Sequence, residues 1–239
     1  MVFSSTVFLF LFFPFVLTLY YQPFIKKRSY RNGVLLLSSL VFYAWGEPVF
    51  VFLMLASIVL NYFCGLMIDK NSEKRKRKAW LTVAIIADIA IIFVFKYLTF
   101  VLSNIYSLFG FEGVVPNIAL PVGISFFTFQ IMSYVFDVYY KKADVQKNIF
   151  NLALYISMFP QLVAGPIVRY ETVADEIQNR VELPAEFTQG VIRFVYGLGK
   201  KVLIANFVAQ IADNVFALSE MSVATAWLGA IASSLQIFF

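Results

Sequence analysis

The sequence contains no histidine and only one cysteine, Cys64, in 239 residues. The first absence removes the commonest general base and the commonest metal ligand from this stretch of chain. The second removes any internal disulfide and any Cys-X-X-Cys pair, leaving Cys64, within an apolar run, to packing. Charge is scarce as well, at 14% Asp, Glu, Lys and Arg, where a soluble domain carries about a quarter. No GxxxxGK loop, HExxH helix or GxSxG elbow occurs, so the motif-borne chemistries of soluble nucleotide enzymes, zinc proteases and α/β-hydrolases are not written here. Short tandem repeats are absent too.

What is present is apolar and aromatic: 61% hydrophobic residues, with 28 Phe and 13 Tyr, and a mean hydropathy of +0.79. Water is not the main solvent of such a chain. Apolar runs near the roughly 20 residues needed to cross a bilayer recur between short charged stretches. The first, over 1–21, lacks the basic start and small-residue cleavage site of a secretion signal and is expected to be a retained helix. The last, over 224–239, ends without a polar flank to anchor it at an interface, so the expectation is a chain that continues and that is truncated here.

The basic residues order these runs. Lys26, Lys27, Arg28 and Arg31 follow the first; Lys70, Lys74, Arg75, Lys76, Arg77 and Lys78 follow the third; Lys141, Lys142 and Lys147 follow the fifth. By the positive-inside rule all thirteen belong on the cytoplasmic side, while the intervening loops at 46–48 and 107–117 hold no Lys or Arg. Five crossings within 1–140 follow, at about 2–21, 33–45, 49–68, 79–106 and 118–140, with the amino terminus outward. Pro48 makes the first outer turn, and Gly110, Glu112, Gly113 and Pro116 the second. Tyr20, Tyr21, Tyr43, Trp45, Trp80, Tyr139 and Tyr140 sit near predicted span ends, where amphipathic rings favour the headgroup zone. The basic loops are also suited to anionic lipid.

Beyond residue 148 the pattern is less regular. The apolar stretch 149–168 is interrupted by Pro160, Gly165 and Pro166, leaving arms too short to span alone. It reads as a re-entrant hairpin, with a kinked span as the alternative, and non-helical backbone at that depth requires protein or a water-filled cavity around it. The charged stretch 169–187 belongs in the cytoplasm or on the headgroups and is expected to contain a short helix. Further membrane helices fill 188–239, with Lys200 and Lys201 separating a pair of apolar arms at an interface. On the second arm Asn206, Gln210, Asp213 and Asn214 form one polar stripe, facing either neighbouring helices or, on an interfacial helix, the headgroups. Asp88 and Lys96 are charges inside a span; eight residues set them roughly 12 Å apart, so Asp88 needs another partner and Lys96 is placed to reach the outer interface. Asp137 is a third charged residue within a predicted span.

Several segments taken together resemble the membrane-bound O-acyltransferase family, in the branch of the alginate O-acetylating membrane subunits. They are MVFSSTVFLFLFFP at 1–14, LVFYAWGEP at 40–48, FKY at 95–97, LPVGISFFTFQIMSYVFDVYY at 120–140 and FPQLVAGPIVRY at 159–170. The resemblance covers essentially the whole chain. Phe127, Tyr140 and Gln161 depart from the usual tyrosine, arginine and histidine of that branch.

The resemblance implies an all-α, polytopic transmembrane bundle with a re-entrant hairpin, and one membrane domain of which 1–239 is the amino-terminal portion. It implies acyl transfer, most often of acetyl groups, to hydroxyls of an exported polysaccharide or cell-wall polymer. The donor would be acetyl-CoA or another acyl carrier, with no bound cofactor or metal. Envelope acetyltransfer partners and membrane lipids would be the other associates, in a bacterial inner or plasma membrane. The family's catalytic histidine has no counterpart here, so these residues alone are expected to be inactive. Pro160, Gln161, Gly165, Pro166, Arg169 and Tyr170 are the candidates for the donor side of the cavity. D-alanyl or other acyl transfer remains open within the family. A transporter or polymer-export component is the alternative of another class.

Overall fold

The computed structural model describes residues 3–25, 27–110, 113, 115–116, 118–162, 165 and 167–239; Lys26, Glu112 and Pro166 therefore lie outside the described residues. Helices account for the secondary structure, with no strand among the described residues. The chain divides into two compact units, Pro14–Arg180 and a second that joins the segment ending at Phe13 with Val181–Phe239.

The π-helical start at Phe8–Phe12 belongs to the second unit, and α1 (Phe13–Tyr20), which continues it, enters the first at Pro14; the two together are shorter than a full crossing. Helix α2 (Arg28–Gly46) and α3 (Phe50–Lys70) are joined by the turn at Pro48, whose ring cannot continue the hydrogen bonding of α2. Helix α4 (Lys74–Ile92) runs through a π-helical stretch at Phe93–Tyr97 into α5 (Leu98–Phe109). The 36 residues of Lys74–Phe109 form one continuous helix, about 54 Å at 1.5 Å per residue. The sequence-based start at 79 is thus five residues late: Lys74–Lys78 form the first helical turns rather than a loop, because long basic side chains lie along a helix end while their charges stay in water.

Helix α6 (Ile124–Tyr139) is shorter than the expected run over 118–140. Pro121 and Gly123, whose φ of 78° is a left-handed conformation open to glycine, delay its start. Helix α7 (Ile149–Ser157) and the single turn α8 (Phe159–Leu162) follow, with a break at Met158, and α9 (Tyr170–Asn179) is the short helix expected within 169–187. The core forms where α3 packs on α4 and α6, and α2 packs on α7. Met54, Ile58, Phe127, Ile131, Tyr134, Leu154 and Ile156 are almost completely enclosed there.

In the second unit, α10 (Pro184–Gly199), a π-helical stretch Lys200–Ala205 and α11 (Asn206–Phe216) run on without a break. Lys200 and Lys201 therefore do not divide the run into separate arms; the helix widens by one residue per turn and carries them through. Helix α12 (Val223–Phe238) packs on α11, closely because Gly229 has no side chain to meet Val215 and Phe216.

Two helices among the described residues, Phe50–Lys70 and Lys74–Phe109, are long and apolar enough to cross a membrane. The second presents Val83, Ile86 and Ile89 outward, Ile86 at 63% exposure. An apolar stripe of that length is a surface for lipid or for other membrane helices, not for water.

Candidate functional site

Polar groups inside the first unit gather where α6, α7 and α9 meet. The cause is the break at Met158, which strands the last carbonyls of α7 and the first N–H groups of α8. The Tyr155 carbonyl oxygen accepts from the Gln130 amide at 2.8 Å and the Gln161 amide at 2.6 Å. The Phe159 N–H donates to Ser39 Oγ at 3.2 Å, from α2. Three side chains from three elements thus satisfy the interrupted backbone, as an apolar interior demands.

Tyrosines form the centre of this node. The Tyr170 ring packs edge-on against Tyr134 and Tyr155, at centroid distances of 4.9 and 5.3 Å. Tyr155 donates its hydroxyl to the Val168 carbonyl at 2.6 Å. The Tyr134 hydroxyl lies over Gly65, where an added Cβ would meet it at 2.6 Å. Tyr170 Oη accepts from Gln146 Nε2 at 3.2 Å. Burial pushes the Tyr170 hydroxyl above its ordinary range, an effect the Gln146 hydrogen bond partly offsets, so it is a neutral phenol and not a base.

Asp137, at the end of α6, accepts from the Glu171 N–H at 3.2 Å and so caps α9 with a carboxylate from another helix. Its carbonyl accepts from Lys142 at 2.8 Å, across a turn in which Lys141 has φ 58°. Arg77 donates to the terminal carbonyls of α6 at Tyr139, at 2.6 Å, and lies over the Tyr139 ring at 5.3 Å. Tyr20 lies beneath both Arg31 and Arg180, and Arg28 donates to the Arg180 carbonyl.

Of the sequence candidates, Gln161, Tyr170 and Asp137 come together at this node. Gly165 is fitted against Gln161, whose Cα would lie 2.6 Å from an added Cβ. Pro160 and Arg169 face outward, and Pro166 lies outside the described residues. Asp88 is 1% exposed and finds its partner in Asn61, whose Nδ2 donates to Asp88 Oδ1 at 2.9 Å. Lys96 is exposed, 5.6 Å above the Tyr97 ring. Asn206, Gln210 and Asp213 are exposed on α11, opposite the buried Ala205, Ala212 and Val215.

A polar cavity of about 720 Å³ opens beside the node, reaching it through Gln146, and is lined also by Asn32, Asn148 and Asn151. None of Pro160, Gln161, Gly165, Arg169 or Tyr170 lines it. Sequence reasoning missed these amides; the available signal was Asn32 within the first turns of an apolar helix, where an amide needs a buried partner.

The model of the family described as "MBOAT, membrane-bound O-acyltransferase family" matches residues 80–239. The chain belongs to the membrane-bound O-acyltransferase family. Among curated members, a probable alginate O-acetylase AlgI of Azotobacter vinelandii is 41% identical over all of this chain and 48% of its own length. The protein of the same name from Pseudomonas aeruginosa is 40% identical, over all of this chain and 46% of its own. A peptidoglycan O-acetyltransferase of Helicobacter pylori is 29% identical, over all of this chain and 51% of its own. The chain spans about half the length of these membrane-bound O-acyltransferase relatives, and no solved structure matches it.

Proposed function

We propose that this chain is the amino-terminal half of a membrane O-acetyltransferase that acetylates hydroxyls of an exported, alginate-like polysaccharide. The observation that carries this reading is similarity over the whole chain, not over one motif, to proteins named as alginate O-acetylases. Peptidoglycan is the second acceptor to consider, supported by the Helicobacter pylori relative. Nothing in the comparisons favours a transporter.

The chain would sit as a multi-pass protein of the bacterial inner membrane, with five crossings in 1–140, the hairpin over 149–168 in the membrane and 169–187 at the cytoplasmic face. Acetyl-CoA or another acyl carrier is made in the cytoplasm and the polymer is finished outside, so the reaction needs a thinned barrier between the two compartments. A helix broken at Met158 and held by protein groups suits that task. Residues 160–170 would wall the donor side, with the outward Arg169 available to an anionic carrier.

Transfer requires a base to take the proton of the acceptor hydroxyl and donors to hold the tetrahedral oxyanion. With no histidine in these residues, an imidazole base must come from elsewhere in the full-length protein. The test is transfer of labelled acetyl groups to polymer in membranes carrying the full-length gene product and its partners, with the family histidine intact or replaced by alanine. Label that depends on that histidine supports the reading; no label in either, with folded protein, points to another acyl group or another class.

A further inference from the structure

The polar cavity plays no role in the acetyl-transfer reading. Its volume, about 720 Å³, falls within the roughly 300–1,000 Å³ usual for small-molecule sites. Its charges are mixed: Arg28 and Lys147 on one hand, Asp69 and Asp144 on the other. Among the described residues Asp69, Asp144 and Lys147 form no ion pair. Asn32, 7% exposed, also lines it. Its amide orientation is fixed because Nδ2 donates both to Asn151 Oδ1 and to the Ile177 carbonyl, at 3.3 and 2.9 Å. The carbonyl oxygen Oδ1 is enclosed within the protein.

A second, wholly apolar slot of about 180 Å³ is lined by Leu36, Leu40, Leu55, Ile58, Ile149 and Ala153, with Val59 at its wall. The same three helices, α2, α3 and α7, wall both spaces. On α2, Leu36 lies one helical turn from Asn32. The slot has room for a segment of one alkyl chain and for no polar group.

We propose that cavity and slot together hold one phospholipid with a phosphoethanolamine headgroup. Arg28 and Lys147 would face the phosphate; Asp69 and Asp144 would receive the ammonium N–H groups; and a segment of one acyl chain would fill the slot. A zwitterionic head complements two cations and two anions. A phosphoglycerol head leaves the carboxylates without a cation, and a phosphocholine head, lacking N–H, gives Asp69 and Asp144 no hydrogen bond. This inference depends on the membrane setting of the family and not on the acetylated polymer.

The test is native mass spectrometry of the delipidated full-length protein in detergent, titrated separately with dioleoyl phosphatidylethanolamine, phosphatidylcholine and phosphatidylglycerol. One phosphatidylethanolamine is expected to be retained with roughly tenfold preference over phosphatidylcholine, the size of one hydrogen bond to a charged group. Lys147→Gln, an exposed change, should weaken its retention, and Val59→Trp, which fills the slot without touching a hydrogen bond, should abolish it. Equal retention of the three lipids, or retention unchanged in a folded Val59→Trp protein, would overturn the proposal.

Discussion

Gly65 and Gly33 are both glycines inside apolar helices, yet their surroundings differ. A methyl at Gly65 would meet the buried Tyr134 hydroxyl at 2.6 Å, whereas one at Gly33 meets nothing within 4 Å. Gly65→Ala should therefore cost about 1–3 kcal/mol through overpacking, while Gly33→Ala should be neutral or stabilise by up to about 1 kcal/mol. Thermal unfolding of the two variants in the same detergent checks the contrast, and equal shifts would contradict the packing of Tyr134 on Gly65. Tyr170 gives a second residue-scale outcome. Tyr170→Phe leaves the buried Gln146 amide one bond short, at a cost of about 1–3 kcal/mol. Because burial raises the Tyr170 pKa, its contribution to stability is fully present below the unfolded value near 10 and is lost as pH rises through the folded one. The wild-type protein should lose more stability than Tyr170→Phe between about pH 8 and pH 11, read as the difference in melting temperature.

At the scale of elements, the break between α7 and α8 depends on redundancy. The Tyr155 carbonyl has two lone pairs and two amide donors, so losing one donor still leaves it bonded. Gln130→Leu and Gln161→Leu should each be mild, and the double variant should be worse than their sum by about 0.5–3 kcal/mol. A double-mutant cycle on unfolding free energy that closes at zero would show that the two amides do not share this oxygen. The break itself was legible in Pro160 and the short apolar arms. Its partners were not, because Gln130 and Ser39 lie far away in sequence, and nothing about a Gln or Ser inside an apolar run says which distant carbonyl or amide it meets. Helix α3, expected over 49–68, runs over Phe50–Lys70, bounded by Pro48 before it and by the basic residues that begin at Lys70. Helix α4 was begun late because hydropathy sees where lipid starts and not where the helix starts. The π-helical stretches at Phe93–Tyr97 and Lys200–Ala205 left no readable trace, since one extra residue per turn over five or six residues barely alters the hydropathy pattern. For the site, the sequence indicated that Asp88 needed a partner other than Lys96. It could not name Asn61, which is brought alongside only when α3 packs on α4.

For the whole molecule, the decisive quantity is the side on which charge falls. Transferring the basic clusters at 26–31, 70–78 and 141–147 across a bilayer costs far more than leaving them on the side where the chain is made, so the five apolar runs expected from the sequence would share one orientation. The helix ends carry the same asymmetry: Lys74–Lys78 open α4 and Lys70 closes α3, while the opposite ends, near Val49 and Ser107, carry no cation. Cys64 is buried, so Cys64→Ala gives a background without a reactive thiol. In that background Val49→Cys and Ser107→Cys should react with a membrane-impermeant maleimide added to intact cells stripped of the outer barrier. Lys76→Cys and Lys142→Cys should react only after the inner membrane is opened. Labelling of Lys76→Cys from outside would invert the arrangement. It would also place the 169–187 segment on the outer side of the membrane, against the cytoplasmic placement proposed above.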